Sequence, residues 1–281
     1  MHQAGANNEL REAIYRYASE RMDMNPAPLD GPKSRAELEA LAGSTITESG
    51  LGGARALEIF ERTLAPATIS TDHPNFLSFI PAAPTEAATL FDLVVSASSI
   101  YGGSWTEGAG AVFAENQVLE FLAKEAGLPD GAGGVFVQGG TLGNLSALVV
   151  ARDVAERKHG HKTWAIICSS EAHSSIRAVA KVMGVEVVKA DAAATGSLHG
   201  HQAKQAVHQA IESGLTPFAI VGTGGTTNFG IIDQLGELAL VAKEFDLWFH
   251  VDGAYGLAGM LVEELKPKYA GLELADYFIV D

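Results

Sequence analysis

Short apolar segments of strand length alternate with longer segments of helical spacing from about residue 72 onward. Because the short segments are apolar on both faces, the pattern predicts buried strands. These strands lie near residues 135–138, 165–168, 185–189, 218–222, 248–251 and 277–280. The intervening spacing predicts helices at about 141–158, 173–183, 199–213 and 233–245. Such an alternation indicates an α/β fold, in which helices cover both faces of a mostly parallel sheet.

Residues 1–71 follow a different pattern, which predicts an N-terminal helical segment. The stretch "NELREAIYRYASERM" has apolar spacing near 3.6 residues, and prolines break it from Pro26 onward. Ser34 and Glu37 in "SRAELEAL" predict a capping box that opens a second helix. Helices of this kind need another surface to pack on. We therefore expect residues 1–71 to form a packing arm for a main domain at 72–281 or for a partner subunit.

The composition narrows the class of protein. The chain has 281 residues, 47% of them hydrophobic, which is enough for one large core. We find no continuous apolar run of transmembrane length and no leader pattern, and we expect a cytoplasmic protein with no membrane partner. The net charge of −15 repels phosphate backbones, which argues against nucleic acid as a partner. The single cysteine, Cys168, lies in the apolar run "WAIIC" and is expected to be a packed thiol. No metal site is expected.

Glycines follow the first predicted strand, in the stretch "QGGTLGNLSAL". In parallel sheets, ligands bind beyond the carboxyl ends of the strands. Gly139 and Gly140 permit close approach of the backbone, and Thr141 can cap the following helix. The free N–H groups and the positive dipole end of such a helix start suit a phosphate. The same turn can also serve only to connect strand and helix.

Three further loops bring polar residues to the same edge. His173 in "SSEAHSSIRAV" lies where a helix begins, which by itself favours a helix cap or a surface histidine. Thr226 in "TGGTTNFGIID" belongs either to a loop of exposed donors or to a structural turn. Asp252 directly follows a buried strand, and a carboxylate there needs a cation or several donors. A helix cap or a buried pair with an arginine is the alternative. Together, the loops fit a flat, phosphorylated heteroaromatic cofactor such as pyridoxal 5'-phosphate.

Taken in order, these motifs resemble the group II pyridoxal-phosphate-dependent amino-acid decarboxylases, which include the aromatic-L-amino-acid, glutamate and diaminobutyrate decarboxylases. The similar stretches are "HPNFLSFIP" (73–81), "GGVFVQGGTLGNLSALVVAR" (133–152), "EAHSSI" (171–176), "GTGGTTNFGIID" (222–233) and "WFHVDGAYG" (248–256). The resemblance implies the large domain of the fold-type I pyridoxal-phosphate enzymes, with a sheet of the seven-stranded type. It also implies a homodimer whose active site lies at the subunit interface.

The resemblance implies where the cofactor would lie. Gly140 and Thr141 would hold its phosphate, and His173 would stack on its ring. Thr226 would sit beside the cofactor, and Ala254 would pack against the other face of the ring.

The resemblance also implies the acid and the substrate pocket. Asp252 would pair with the ring nitrogen, and with His173 and Thr226 it forms the implied catalytic set. Asp281 is placed among the cofactor-binding residues, whereas Phe79 and Pro81 would line the substrate pocket. The family commonly has alanine where this chain has Gly253, which is expected only to loosen the turn.

The family's cofactor-binding lysine lies in a His-Lys pair shortly after a strand like "DYFIVD". The sequence stops at Asp281, before such a pair. Lys266 and Lys268, in "EELKPKYAG", are expected to be solvated and not to replace it. We therefore expect the sequence to be the N-terminal part of a longer protein, or the portion before a modified lysine, without the family's small C-terminal domain. A protein that ended naturally at residue 281 would not turn over.

The leading functional hypothesis is decarboxylation of an L-amino acid to carbon dioxide and an amine. A related carbon–carbon lyase, an aldehyde-forming decarboxylase and a truncated non-catalytic protein of the same fold remain alternatives. A nicotinamide dehydrogenase is excluded because no G-x-G-x-x-G motif opens the first βα unit. Phe79 weakly favours a substrate with an aromatic or other hydrophobic side chain.

Overall fold

A computed structural model describes residues 8–78 and 83–281, which divide into two compact units between Ile100 and Tyr101. The composition change predicts a boundary about thirty residues earlier, between residues 71 and 72. Phe79 and Pro81, the predicted substrate-pocket residues, lie outside the described residues.

The first unit is helical, as predicted. Its α-helices are α1 (Asn8–Met22), α2 (Arg35–Ala42), α3 (Gly53–Ile59) and α4 (Glu86–Ser98), with one π-helical turn at Phe60–Leu64 and one 3-10 turn at Ala65–Ala67. The predicted capping box of α2 is confirmed. The Ser34 N–H donates to Glu37 Oε2 at 2.8 Å, and the Glu37 N–H donates to Ser34 Oγ at 3.3 Å. Two N–H groups that the helix start leaves without partners are thereby satisfied.

The second unit contains a parallel five-stranded sheet. Its helices are α5 (Trp105–Glu125), α6 (Gly140–His159), α7 (Ser174–Met183), α8 (Gly200–Glu212) and α9 (Leu235–Phe245). Its strands are β1 (Trp164–Ser169), β2 (Glu186–Ala190), β3 (Thr216–Thr223), β4 (Trp248–Asp252) and β5 (Tyr277–Ile279), in the spatial order β2-β1-β3-β4-β5. Three 3-10 turns, Leu257–Leu261, Lys266–Tyr269 and Leu272–Leu274, connect β4 to β5. The predicted α/β fold with a parallel sheet is confirmed.

Helices cover both faces of the sheet because successive strand residues point to opposite sides. Ile166 and Val221 pack with α6 and α7, whereas their neighbours Ile167 and Ile220 pack with α8 and α9. Cys168 is buried within the first of these clusters, which confirms the packed thiol. Burial raises the pKa of this thiol to about 12. The core therefore fixes the strand ends, where the candidate site lies.

The strand predicted at 135–138 is wrong, because this segment pairs with no strand in the described part of the chain. Val135 and Phe136 are 54% and 58% exposed. The N–H of Phe136 donates to Glu115 Oε1 at 2.7 Å rather than to a ladder. A cavity of about 360 Å³ is lined by this segment and by the Tyr277–Ile279 strand at the edge of the sheet. Apolar character predicts a strand, but only a neighbouring strand can supply its hydrogen bonds.

Among residues 8–78 and 83–281, the structure contains no helix with the length and apolar character that crossing a bilayer requires.

Candidate active site

Asp252 ends β4 at the carboxyl edge of the sheet and is only 6% exposed. Its Oδ2 accepts a hydrogen bond from Asn144 Nδ2 at 2.9 Å, and its Oδ1 accepts one from the Ala254 N–H at 3.3 Å. Neither donor is a cation, so the arginine pair considered as an alternative does not account for this carboxylate. An ionised carboxylate has about four acceptor positions, and two of them are used here. Asp252 can therefore accept from a further donor.

Two residues before Asp252, His250 points to the same side of the sheet. Its ring is completely buried, and burial lowers the pKa of His250 to about 4. The ring is therefore neutral near pH 7 and has one N–H to donate. Nε2 lies 2.7 Å from Asn144 Oδ1, whereas Nδ1 lies 3.3 Å from the carbonyl oxygen of Tyr277. Both partner oxygens can only accept, so the proton lies on Nε2, where an unprotonated ring nitrogen would face the lone pairs of Asn144 Oδ1 at 2.7 Å.

His173 is the N-cap residue of α7, as the sequence suggested. Its Nδ1 accepts the Ser175 N–H at 3.2 Å and lies 2.9 Å from Ser175 Oγ. Ser175 Oγ in turn lies 3.1 Å from Asn144 Nδ2. One chain of hydrogen bonds therefore links His173 to Asp252, although 79 positions separate them in the sequence. The imidazole itself remains exposed at the edge of the sheet.

Gly140 brings the start of α6 against the turn that follows β4. A Cβ at this position would lie 2.9 Å from Ala254 Cβ and 3.4 Å from Ile279 Cδ1. The preceding N-cap residue, Gly139, has φ of 84° and no side chain to cap the helix. The first N–H groups of α6 therefore have no side-chain cap, and Thr141 is exposed beside them. This arrangement suits an anion.

Thr226 is buried in the loop that follows β3. Its N–H donates to the Ile231 carbonyl oxygen at 2.8 Å, and its Oγ1 accepts the Ile231 N–H at 3.2 Å. The loop lies beside Asp252, since the Gly224 N–H donates to the Asp252 carbonyl oxygen at 2.8 Å. The structure thus brings Gly140, Thr226, Asp252 and the linked His173 to one edge of the sheet.

Asp233 closes the same loop, and sequence reasoning assigned it no role. Its Oδ1 accepts the Leu198 N–H at 2.7 Å, and its Oδ2 accepts the Thr223 N–H at 2.8 Å. The side chain is buried, which raises the pKa of Asp233 to about 6. Its position at the end of "TGGTTNFGIID" is the only signal in the sequence, because both donors are backbone groups and one of them, Leu198, lies in a distant segment.

The sequence predicts that Gly253 only loosens the turn after β4, and this prediction is wrong. A Cβ there would lie 2.2 Å from Leu257 Cβ and 2.8 Å from the Ile279 carbonyl oxygen. Both distances are shorter than any van der Waals contact, so the packing around this turn requires glycine.

Asp281 and Lys266 are two further residues that the sequence singles out. Asp281 is exposed and lines the 360 Å³ cavity together with Gly140. Lys266 forms ion pairs with Glu125 at 3.1 Å and with Glu263 at 3.4 Å. The hydrogen bond from Lys266 to Glu125 raises the pKa of this lysine, so its amine is charged and a poor nucleophile. This agrees with the surface role expected for Lys266.

The family profile described as "Pyridoxal-dependent decarboxylase conserved domain" matches residues 46–281. The chain belongs to this family. It is 30% identical over 240 residues to an aromatic-L-amino-acid decarboxylase of Bacillus atrophaeus. The aligned region covers 84% of this chain and 50% of that relative. It is 33% identical over 227 residues to a 4-hydroxyphenylacetaldehyde synthase of Rhodiola rosea. The aligned region covers 76% of this chain and 46% of that relative.

A solved structure of this family has the same fold. It is the glutamate decarboxylase domain of a diaminobutyrate-pyruvate transaminase and L-2,4-diaminobutyrate decarboxylase from Vibrio parahaemolyticus. The TM-score is 0.88 at 28% identity, and the match covers 100% of this chain and 65% of that chain. This chain spans about half the length of the curated relatives that it matches.

The residues at this edge fit the cofactor of the pyridoxal-dependent decarboxylase family. The buried carboxylate of Asp252 has acceptor positions left and no cation among its partners. The uncapped start of α6 suits a phosphate, and Gly140 keeps its backbone close to Ala254. The exposed ring of His173 is anchored through hydrogen bonds of its Nδ1 to Ser175. Together they match the phosphate, the ring nitrogen and the ring face of pyridoxal phosphate.

Proposed function

We propose that this chain provides the cofactor-binding part of a pyridoxal-phosphate-dependent decarboxylase that converts an L-amino acid to carbon dioxide and an amine. The observation that most supports the proposal is the buried Asp252 carboxylate, held by two neutral donors at the end of β4. A carboxylate in this environment needs a further positive partner to offset its burial. A protonated ring nitrogen is such a partner.

When bound, pyridoxal phosphate supplies an aromatic ring that accepts the electron pair released at the substrate carbon. In this proposal, Asp252 holds the proton on the ring nitrogen through a charge-assisted hydrogen bond, which contributes about 1.5–3 kcal/mol. Gly140 and Thr141 bind the phosphate through the N–H groups at the start of α6. His173 stacks on one face of the ring, and Ala254 contacts the other.

The remaining site residues complete the proposal. Thr226 lies beside the cofactor, and its loop approaches Asp252 through the Gly224 N–H. In this proposal Asp281 borders the cofactor site, and the family resemblance assigns Phe79 and Pro81 to the substrate pocket. The apolar side chain of Phe79 would favour an aromatic or other apolar substrate side chain. The aromatic-L-amino-acid decarboxylase of Bacillus atrophaeus, similar to this chain, supports that substrate class.

We further propose a cytoplasmic homodimer with the site at the subunit interface. The sequence assigns residues 72–281 to the cofactor-binding domain and residues 1–71 to an arm, whereas the compact units divide between Ile100 and Tyr101. Helices α4 and α5 present large exposed apolar side chains, and surfaces of this kind mark interaction sites. These side chains include Phe91, Val94, Trp105, Phe113 and Phe121. The free thiol of Cys168 is compatible with a reducing compartment.

The experiment is product analysis of the full-length protein that carries the family's cofactor-binding lysine, with pyridoxal phosphate and a panel of aromatic, acidic and diamino L-amino acids. Carbon dioxide and the matching amine in equal amounts are expected, with the highest rates for aromatic substrates. An aldehyde in place of the amine would identify the aldehyde-forming alternative. That alternative has its own support, since the Rhodiola rosea relative at 33% identity is an aldehyde synthase. Cofactor binding without any product would identify a non-catalytic protein of the same fold.

A further inference from the structure

Asn144 lies one turn into α6 and contacts residues from two other elements of the site. It is only 1% exposed. Its side chain contacts Asp252 and His250 on β4 and Ser175 on α7. These partners are between 31 and 108 positions away in the sequence. A buried amide that joins three elements at the candidate site can determine how their side chains are oriented.

The direction of every hydrogen bond in this group follows from Asp252. An ionised carboxylate can only accept, so the Asn144 atom that faces it at 2.9 Å is the nitrogen. The second hydrogen of that nitrogen is directed at Ser175 Oγ, 3.1 Å away. The Asn144 oxygen therefore faces His250 Nε2, and this ring nitrogen must carry the His250 proton. All polar atoms of the Asn144 side chain are thus used.

The same logic extends to His173. Because Ser175 Oγ accepts from Asn144, its own hydrogen is free to be donated to His173 Nδ1 at 2.9 Å. The Ser175 backbone N–H donates to the same nitrogen. His173 Nδ1 is therefore an acceptor, and the proton of the neutral ring is on Nε2. The His250 tautomer and one of the donors to Asp252 therefore depend on how this amide is oriented, whereas the Ser175 backbone N–H by itself keeps His173 Nδ1 an acceptor.

We propose that Asn144 is a positioning residue that orients Asp252 and His173 for the cofactor. The inference about the cofactor rests on the function proposed above, whereas the hydrogen-bond directions do not. Loss of the amide would leave Asp252 with one fewer donor and His250 Nε2 without an acceptor. His250 would then move its proton to Nδ1, where the Tyr277 carbonyl oxygen is the remaining acceptor.

The first test uses the cofactor-free protein and ¹⁵N NMR of its histidine rings. The Nε2–H tautomer is expected for His250 and for His173 in the wild type. In the Asn144→Ala variant, His250 is expected to change to the Nδ1–H tautomer. The matched control is Ser146→Ala, in the same helix and outside this group, which should leave both tautomers unchanged. An Nδ1–H tautomer at His250 in the wild type would overturn the proposal without any variant.

The second test adds pyridoxal phosphate labelled with ¹⁵N at the ring nitrogen. In the Asn144→Ala variant, the dissociation constant is expected to rise on the order of tenfold, because a hydrogen bond to a charged group is lost. The ring nitrogen should also lose its proton at a lower pH than in the wild type. The Asn144→Asp variant keeps the shape but directs an oxygen at Asp252, and it should weaken binding at least as much. Ser146→Ala should match the wild type.

These outcomes separate this proposal from the function on which it rests. If the wild type binds no cofactor, the proposed function fails, and with it the claim that Asn144 orients Asp252 and His173 for the cofactor. The tautomers of His250 and His173 would then test only the directions of the hydrogen bonds around Asn144. If the wild type binds the cofactor but both Asn144 variants keep its affinity and its ring protonation, Asn144 has only a structural role. If one of the two Asn144 variants unfolds, the other one is used for the comparison. The His250 tautomer of the wild type still tests the hydrogen-bond directions without any variant.

Discussion

Gly140 lies in direct contact with Ala254, across the two loops that flank the candidate cofactor site. A Cβ on Gly140 would be 2.9 Å from Ala254 Cβ, which is closer than two methyl groups can approach. The start of α6 and the turn after β4 are therefore held at a separation that only glycine permits. This contact determines the space between the proposed phosphate site and the acid at the end of β4.

The Gly140→Ala substitution is expected to push the start of α6 away from Ala254. Overpacking of this kind costs about 1–3 kcal/mol of unfolding free energy. Because the phosphate donors move with the helix start, the affinity for pyridoxal phosphate should also fall on the order of tenfold. Urea denaturation and cofactor titration measure the two effects. The control is Gly110→Ala in α5, where a Cβ would meet no atom within 4 Å, and which should be neutral or slightly stabilising. Equal effects of the two substitutions would contradict the steric account.

Gly253→Ala tests the turn after β4. The added Cβ would lie 2.2 Å from Leu257 Cβ, so we expect a loss of about 1–3 kcal/mol in unfolding free energy. Leu257→Ala leaves a cavity in the core and costs about 2–5 kcal/mol by itself. Leu257→Ala keeps the Cβ at position 257, but it removes the rest of the leucine side chain, which also crowds residue 253. The double variant should therefore lose less stability than the two single losses added together. Strict additivity in this double-mutant cycle would show that the Leu257 side chain beyond Cβ does not clash with a side chain at residue 253.

Substitution of Asp252 tests the proposed acid. In the full-length protein that carries the family's cofactor-binding lysine, Asp252→Ala is expected to lower turnover by orders of magnitude, because the ring nitrogen would lose the group that keeps it protonated. Asp252→Glu retains a carboxylate and should keep part of the activity. Steady-state rates with the preferred amino acid measure the effect, and circular dichroism checks that the variants fold. Near wild-type turnover in the alanine variant would refute the role of Asp252.

The sequence predicts most of this fold because its strands are apolar on both faces. β1 and β3 are runs that no amphipathic helix would contain, and their neighbours along the chain have clear helical spacing. The stretch at 135–138 has the same apolar character and yet forms no strand, because strand formation depends on a partner that local pattern does not report. Element type follows from periodicity, whereas pairing depends on distant parts of the chain.

The candidate site is predictable only in part, for a related reason. His173 and Asp252 stand out because each is a polar residue at the end of a predicted strand or the start of a helix. Asn144 has no such signal, since a single asparagine within "GTLGNLSAL" reads as an ordinary helix residue. Its importance comes from contacts with residues 106 and 108 positions away. Hydrogen-bond partners that are this remote can be recognised only in the folded structure.

Asp233 leads to a prediction about how stability depends on pH. Burial raises the pKa of its carboxyl group from 3.8 to about 6 in the folded protein. In this pH range the folded state therefore binds more protons than the unfolded state, and stability falls as pH rises from about 4 to about 6. The difference between the two pKa values corresponds to a contribution of about 3 kcal/mol to the free energy of unfolding. This contribution is present below pH 4 and lost above pH 6.

The Asp233→Asn variant should lose this component of the pH dependence. Both carboxylate oxygens accept backbone N–H groups, from Leu198 and Thr223, and an amide can accept only one of them. The unpaired N–H should cost about 1–3 kcal/mol of unfolding free energy. Urea denaturation at several pH values between 4 and 7 measures both effects, with the exposed Asp130→Asn as the control. If the variant and the wild type keep parallel profiles across this range, Asp233 does not titrate as its burial implies.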